Sequence, residues 1–281
     1  MRISVLGMGR MGQALAGRLL DGGHDVVLWN RTPGRADELV GRGAHEADRI
    51  VDAVADVDVA VTSLANDDAV REVACGEDGI WGALGKDSVY VDASTVSPSL
   101  TGQLAEAFPR FVAMPVLGSP VAVAGGQAVF LVGGQGAAVH AVDSLFPGLS
   151  DKVLHYDSPS LASAGKLTVN LLLLDGVVAL AESFAVGRAG GLSDGQLREL
   201  LGDSPMVAPG IRNRFEGVLT GDQDPWWSAA LGAKDAGLAI DLVRGAGGDL
   251  PSTRTVRERY EKVAAEAEDA DVAGVGRLYI D

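Results

Sequence analysis

The first half of the chain alternates between two spacings of apolar residues. Short apolar runs at residues 3–6, 25–29, 57–64 and 88–92 are bounded by Gly, Asn, Asp or Ser and predict strands. Between them, residues 11–20, 34–40, 68–73 and 98–107 carry apolar positions at helical spacing. Runs at 111–114, 128–132 and 152–155 predict further strands, with a helix over 137–145 between the last two. Strands alternating with helices argue for βαβ units and a parallel sheet. After residue 156 the strand signal vanishes. Residues 161–189 predict one long helix, apolar over most of its circumference as a buried helix is. Helices over 193–201, 208–215, 227–244 and 253–268 follow, and the Ala-rich acidic stretch 264–271 reads as a solvated helix face. The pattern predicts an α/β protein: a sheet-containing domain over 1–156, and an all-α domain over 157–281 joined to it by the long helix.

Composition narrows this picture. Of 281 residues, 47% are hydrophobic and only 5% aromatic, so the cores must be built from Ala, Val and Leu. Asp and Glu number 38 against 23 Lys and Arg, a formal charge of −15. A chain this acidic lacks the basic footprint that a nucleic acid requires, and any anionic ligand must be held by local cations. The single cysteine, Cys75, excludes an intrachain disulfide framework, and four histidines without paired spacing argue against a metal site. Met1-Arg2 leads directly into the first strand without the apolar region of a signal peptide. The longest apolar run, 161–189, is interrupted by Lys166, Asn170, Asp175 and Glu182, short of the roughly 20 apolar residues that span a membrane. These features predict a cytoplasmic protein with no membrane partner.

Candidate chemistry begins at Gly7-Met8-Gly9-Arg10-Met11-Gly12, which follows the first strand and opens the first helix. In that context the first glycine allows a tight turn, the second lets backbone approach a pyrophosphate, and the third lets helix and sheet pack closely. Unpaired N–H groups at the helix start then meet the phosphates. The end of the second strand selects the cofactor. A carboxylate there binds the ribose 2′-hydroxyl of NAD, but this chain has Asn30-Arg31-Thr32. A guanidinium binds a 2′-phosphate through paired hydrogen bonds, with Asn30 and Thr32 as neutral donors, so the expected cofactor is NADP(H).

Further blocks lie in order along the chain: Leu64-Ala65-Asn66, Asp92-Ala93-Ser94-Thr95-Val96-Ser97-Pro98, Pro115-Val116-Leu117-Gly118-Ser119, Gly165-Lys166-Leu167-Thr168-Val169-Asn170 and Lys234-Asp235. With the glycine loop they make the chain resemble the β-hydroxyacid dehydrogenase family, which includes 3-hydroxyisobutyrate dehydrogenases and glyoxylate/succinic semialdehyde reductases and has imine reductases as relatives. The resemblance implies a fold of the 6-phosphogluconate dehydrogenase type: a Rossmann domain for NADP, a long helix and a helical substrate and dimerisation domain, with the active site in the cleft between the domains. It implies Lys166 as the catalytic acid/base with Asn170 beside it, and Leu64, Ala65 and Asn66 at the nucleotide. Thr95 and Lys234 would lie at the nicotinamide end, and Ser94, Leu117, Gly118 and Ser119 near the substrate. A homodimer or larger homo-oligomer is implied, acting on a small carbonyl or hydroxy-acid substrate.

The residues support part of this independently. A lysine in an apolar helix is costly unless its charge is paired or its pKa falls, and Asn170 at i+4 shares its helix face. Two departures concern the substrate. Leu117 stands where the family has Ser in a carboxylate-holding loop that Pro120 stiffens, and Ser160 and Ala162 stand where glycines commonly precede the catalytic lysine. Leu117 suits a less polar carbonyl or an imine, whereas Lys166 counts against an imine reductase. A non-catalytic NADP-binding sensor is the other alternative, but it gives no reason for Lys166 and Asn170 to occur together. Trp226-Trp227 read as packing residues, and Arg212 and Arg214 as solvated.

Overall fold

The computed structural model describes residues 1–267 and 269–279. It divides into two compact units, Met1–Lys166 and a second beginning at Leu167.

The first unit is built on one sheet: β1 (Arg2–Leu6), β2 (Asp25–Trp29), β3 (His45–Glu46), β4 (Val59–Thr62), β5 (Val89–Asp92), β6 (Phe111–Ala113), β7 (Val116–Leu117), β8 (Val129–Gly134) and β9 (Lys152–Tyr156). The order is β3-β2-β1-β4-β5-β6-β8-β7, with β9 also on β8. Every pair from β3 to β6 is parallel, but β8 runs antiparallel to β6 and β7 and parallel to β9. The expected parallel sheet is therefore a mixed one. The cause is local: no crossover helix of useful length separates β6, β7 and β8, and parallel neighbours need one.

Nine helices belong to this unit: α1 (Arg10–Asp21), α2 (Asp37–Gly41), α3 (Ile50–Val54), α4 (Asp67–Cys75), α5 (Ile80–Ala83), α6 (Pro98–Ala107), α7 (Pro120–Ala124), α8 (Gly136–Val142) and α9 (Phe146–Leu149). The strand β3 and the helices α3, α5, α7 and α9, none longer than five residues, are too short to show a period in the sequence. Two packed layers form because side chains alternate across the strands. Val5, Val61 and Val91 face Leu15 and Leu19 of α1, while Leu6, Ala60 and Tyr90 face Val70 of α4 and Leu100 and Leu104 of α6. The chain reverses direction of winding between β1 and β4, and open α/β sheets hold ligands at such a point.

The second unit is helical. α10 (Pro159–Ala189) starts in the first unit and continues into the second, followed by α11 (Asp194–Leu201), α12 (Pro209–Arg212), α13 (Phe215–Thr220), α14 (Ala229–Gly245), α15 (Pro251–Glu266) and a 3-10 turn at Val272–Tyr279. By length and composition α10 is apolar enough to cross a membrane. Its Leu174, Val177, Ala181 and Phe184, however, are the centre of the second unit's core. Ser193 starts α11 with a capping box to Gln196, a device worth about 1 kcal/mol.

Two expectations change here, and a third falls partly outside the described residues. The helix over 208–215 is two short helices broken at Asn213 and Arg214. The last long helix runs Pro251–Glu266, and Glu268, its expected end, lies outside the described residues. Finally, Asp271 and Arg214 are not solvated. Asp271 is 2% exposed and accepts N–H bonds from Trp226, Trp227 and Ala273 at 2.9–3.0 Å. Arg214, 5% exposed, lies 3.6 Å from Asp271 and 4.3 Å over the Trp226 ring. Each charge offsets the burial cost of the other, and the indole face adds a cation–π contact. Arg212 also bonds inward, to the carbonyls of Gly202, Ser204 and Val207.

Candidate active site

The glycine loop is packed tightly at two of its three glycines. Gly7 has φ of +103°, and a Cβ there would strike the carbonyl oxygen of Ser63 on the neighbouring strand's exit. A Cβ at Gly12 would strike the carbonyl of Gly7. Both glycines are thus required by the protein itself. Gly9 is different. A Cβ there meets no atom within 4 Å among the described residues, and Gly9 has an ordinary extended backbone at the start of α1 without a side-chain cap. No contact among the described residues demands glycine there. The open space above it, and first-turn N–H groups that no helical carbonyl can satisfy, fit a ligand that brings its own anionic oxygens close to the backbone.

The loop is braced from β2. Asn30 Oδ1 accepts from Met8 N at 2.9 Å, and Asn30 Nδ2 donates to Thr32 O at 2.7 Å. Asn30 therefore ties the glycine loop to the turn after β2. Arg31 and Thr32 are exposed in that turn, and so are Arg10 and Gly9 at the start of α1, while Met11 is half-buried.

The ends of β4 and β5 are joined through a buried polar network. Asp92, 1% exposed, accepts from Thr62 Oγ1 at 2.8 Å and from Ser94 N at 3.1 Å, both on Oδ1. Since Thr62 donates to Asp92, Tyr90 OH donates to Thr62 across 3.0 Å. Asp92 Oδ2 has no hydrogen-bond partner among the described residues. Burial pushes the Asp92 carboxyl up, against the opposing pull of the Ser94 and Thr62 bonds. The Ser94 hydroxyl accepts from Leu64 N at 2.9 Å, which fixes the Leu64-Ala65-Asn66 turn. Asn66 caps α4 by accepting from Ala69 N at 2.9 Å. Thr95, next in the chain, is half-buried.

Lys166 closes the first unit. Its Nζ donates to the carbonyl oxygen of Val116 at 2.6 Å. That carbonyl opens the Leu117-Gly118-Ser119 loop, in which Leu117 packs on the apolar layer of Leu131 and Ala162 and Ser119 caps α7 ahead of Pro120. In the second unit, Asn170 stands one helical turn after Lys166, a rise of about 6 Å. Asn170 and Asp235 are 7% and 4% exposed, and Asn170 Nδ2 donates to Asp235 Oδ2 at 2.7 Å. Lys234 Nζ lies 2.8 Å from Asp235 Oδ1.

The expected residues thus fall into two groups. One, in the first unit, links the glycine loop, Asn30, Leu64, Ser94 and Lys166 to the sheet's exit. The other, in the second, joins Asn170 and Lys234 through Asp235. Asp92, Thr62 and Asp235 were not among the candidates. The two aspartates lie within quoted blocks, but that their carboxylates are buried and what they hold depends on strand and helix pairing.

Residues 2–156 match the NAD binding domain of 6-phosphogluconate dehydrogenase, and residues 161–279 match the NAD-binding domain of NADP-dependent 3-hydroxyisobutyrate dehydrogenase. An uncharacterized oxidoreductase of Bacillus subtilis, YfjR, is 31% identical over 269 residues, covering 93% of either chain. A 3-hydroxyisobutyrate dehydrogenase of Mycobacterium tuberculosis, solved with L-serine, superimposes with a TM-score of 0.86 at 26% identity, over 99% of this chain and 98% of that one. The Salmonella typhimurium 3-hydroxyisobutyrate dehydrogenase reaches 0.89 at 22% identity, over 99% and 100%. The fold likeness extends, at a TM-score of 0.63, 21% identity and 98% of either chain, to an imine reductase from Pseudomonas sp..

Proposed function

Because the chain belongs to the β-hydroxyacid dehydrogenase family, and is an oxidoreductase with a nicotinamide-binding domain, we propose that it interconverts a small carbonyl compound and the corresponding hydroxy acid or alcohol with NADP(H), using Lys166 as general acid and base. The observation that carries this reading is the half-buried Lys166 ammonium, held at 2.6 Å by Val116 O, one helical turn before Asn170.

The nicotinamide, when bound, supplies or accepts the hydride. The protein's own residues do the rest. The first-turn N–H groups of α1 and the open space at Gly9 receive the pyrophosphate. Arg31 is the cation for the 2′-phosphate; it follows Asn30 directly, and no carboxylate stands in the turn to repel that group. Lys166 gives a proton to the substrate oxygen in reduction and takes it back in oxidation. Val116 O keeps the ammonium directed by a charge-assisted bond, so little reorganisation precedes proton transfer.

Imine reduction is the second reading. Leu117 favours it, because an apolar side chain replaces a hydroxyl in the loop that Lys166 is bonded to. We take the protein to be a homodimer or larger homo-oligomer. On α10, Leu172 and Val186 are 76% and 74% exposed and lie on one helix face with Ala179, a stripe that a second copy would cover. Oxidation of NADPH and NADH, followed against glyoxylate, succinic semialdehyde and a cyclic imine, tests the assignment. Turnover with an aldehyde and NADPH is expected; turnover confined to the imine transfers the chain to the second reading.

A further inference from the structure

The structure assigns a part to Asp235: we propose that it is a positioning residue, which holds the carboxamide of Asn170 in one orientation and couples it to Lys234. An ionised carboxylate only accepts hydrogen bonds, so the Asn170 atom 2.7 Å from Asp235 Oδ2 is the nitrogen. The other carboxylate oxygen lies 2.8 Å from the Lys234 ammonium, which pairs the charge. Asn170 and Asp235 are both more than nine-tenths buried, so water does not compete for the Asn170–Asp235 bond.

With one N–H spent on Asp235, the planar amide presents Oδ1 on its opposite edge. Asn170 is thereby set to accept a hydrogen bond, from a substrate hydroxyl or an ammonium. A free asparagine presents either edge; this one presents its acceptor. Sequence spacing hides the device. Asp235 adjoins Lys234 on α14, where neighbours at i and i+1 do not ordinarily face each other, and only the packing of α14 against α10 within the second unit brings it to Asn170.

The proposal rests on the reading of Lys166 and Asn170 as the reacting pair, and the test separates the two. Asp235→Asn, Asn170→Ala and the double variant are assayed as complete proteins with NADPH and succinic semialdehyde, beside Lys166→Met. If Asp235 acts through Asn170, each single variant loses about tenfold or more in kcat, and the double variant loses no more than Asn170→Ala alone within about twofold. Hydrogen exchange of the Asn170 side-chain amide, read by 15N NMR without cofactor, is slow in the wild type and fast in Asp235→Asn. Should Asp235→Asn fail to fold, the exchanged pair Asn170→Asp/Asp235→Asn replaces it; that variant regains the bond and the wild-type melting temperature but not kcat. Losses that multiply in the double variant, an exchanged pair with restored kcat, or a fast-exchanging wild-type amide overturn the proposal. An active Lys166→Met overturns the acid/base reading instead, and leaves the amide result to stand by itself.

Discussion

The ammonium of Lys166 and the carbonyl oxygen of Val116 are 2.6 Å apart, which joins the first turns of α10 to strand β7. This contact orders a long, mobile side chain at the point where the sheet ends. A lysine held by a backbone carbonyl keeps its ammonium directed, which suits a proton donor.

The glycine loop separates folding from binding. Gly9→Ala adds a Cβ that meets no protein atom within 4 Å among the described residues, so the apo melting temperature is expected to stay within about 2 °C of wild type. NADPH affinity, by fluorescence titration, should fall at least about tenfold, the effect of losing close backbone contact. Gly12→Val, whose Cβ would strike the Gly7 carbonyl, is expected to lose both.

Arg31→Ala should leave kcat/KM with NADH nearly unchanged and lower it with NADPH by about tenfold to a hundredfold, the worth of one or two hydrogen bonds to a charged group. Steady-state kinetics with both cofactors reads this ratio. An unchanged ratio would move the 2′-phosphate contact to another residue.

Ser94→Ala removes the acceptor of Leu64 N. A part-buried N–H without its partner costs about 1–3 kcal/mol, or roughly 2–4 °C in melting temperature for each kcal/mol at this size. The Leu64-Ala65-Asn66 turn loosens at the same time, so NADPH binding weakens as well. Differential scanning calorimetry and the same titration measure the two effects.

Asp175 gives a pH dependence. Burial raises its pKa, and the hydrogen bond from Thr253 opposes this only in part. The folded state thus binds the proton more readily than the unfolded chain does. The destabilisation is fully present above the raised folded pKa and vanishes below the ordinary carboxylate value, so this group's stability falls as pH rises between the two. Asp175→Asn should be more stable than wild type in urea at pH 7, with the difference shrinking toward pH 4.

Much of this architecture is visible in the chain because local chemistry and global fold agree. The Gly7–Gly12 run between β1 and α1 states its role within a few residues, and the helical spacing over 98–107 and 193–201 marks α6 and α11. What is not visible depends on partners distant in sequence. The reversal at β8 follows from short connections, not from strand composition. Arg214 looks like a surface residue until Trp226 and Asp271 are folded over it. Asn30 reads as a ligand donor, and the structure shows its amide bracing Met8 and Thr32. Asp235 needed α10 and α14 to be side by side.

The central claim is that Lys166 moves the proton. Single-turnover kinetics of Lys166→Met, which keeps the apolar stem and removes the ammonium, tests it most directly. NADPH binding within about twofold of wild type and a reduction step slowed by about a hundredfold or more are expected. A reduction rate within about threefold of wild type would contradict it and place the proton donor elsewhere.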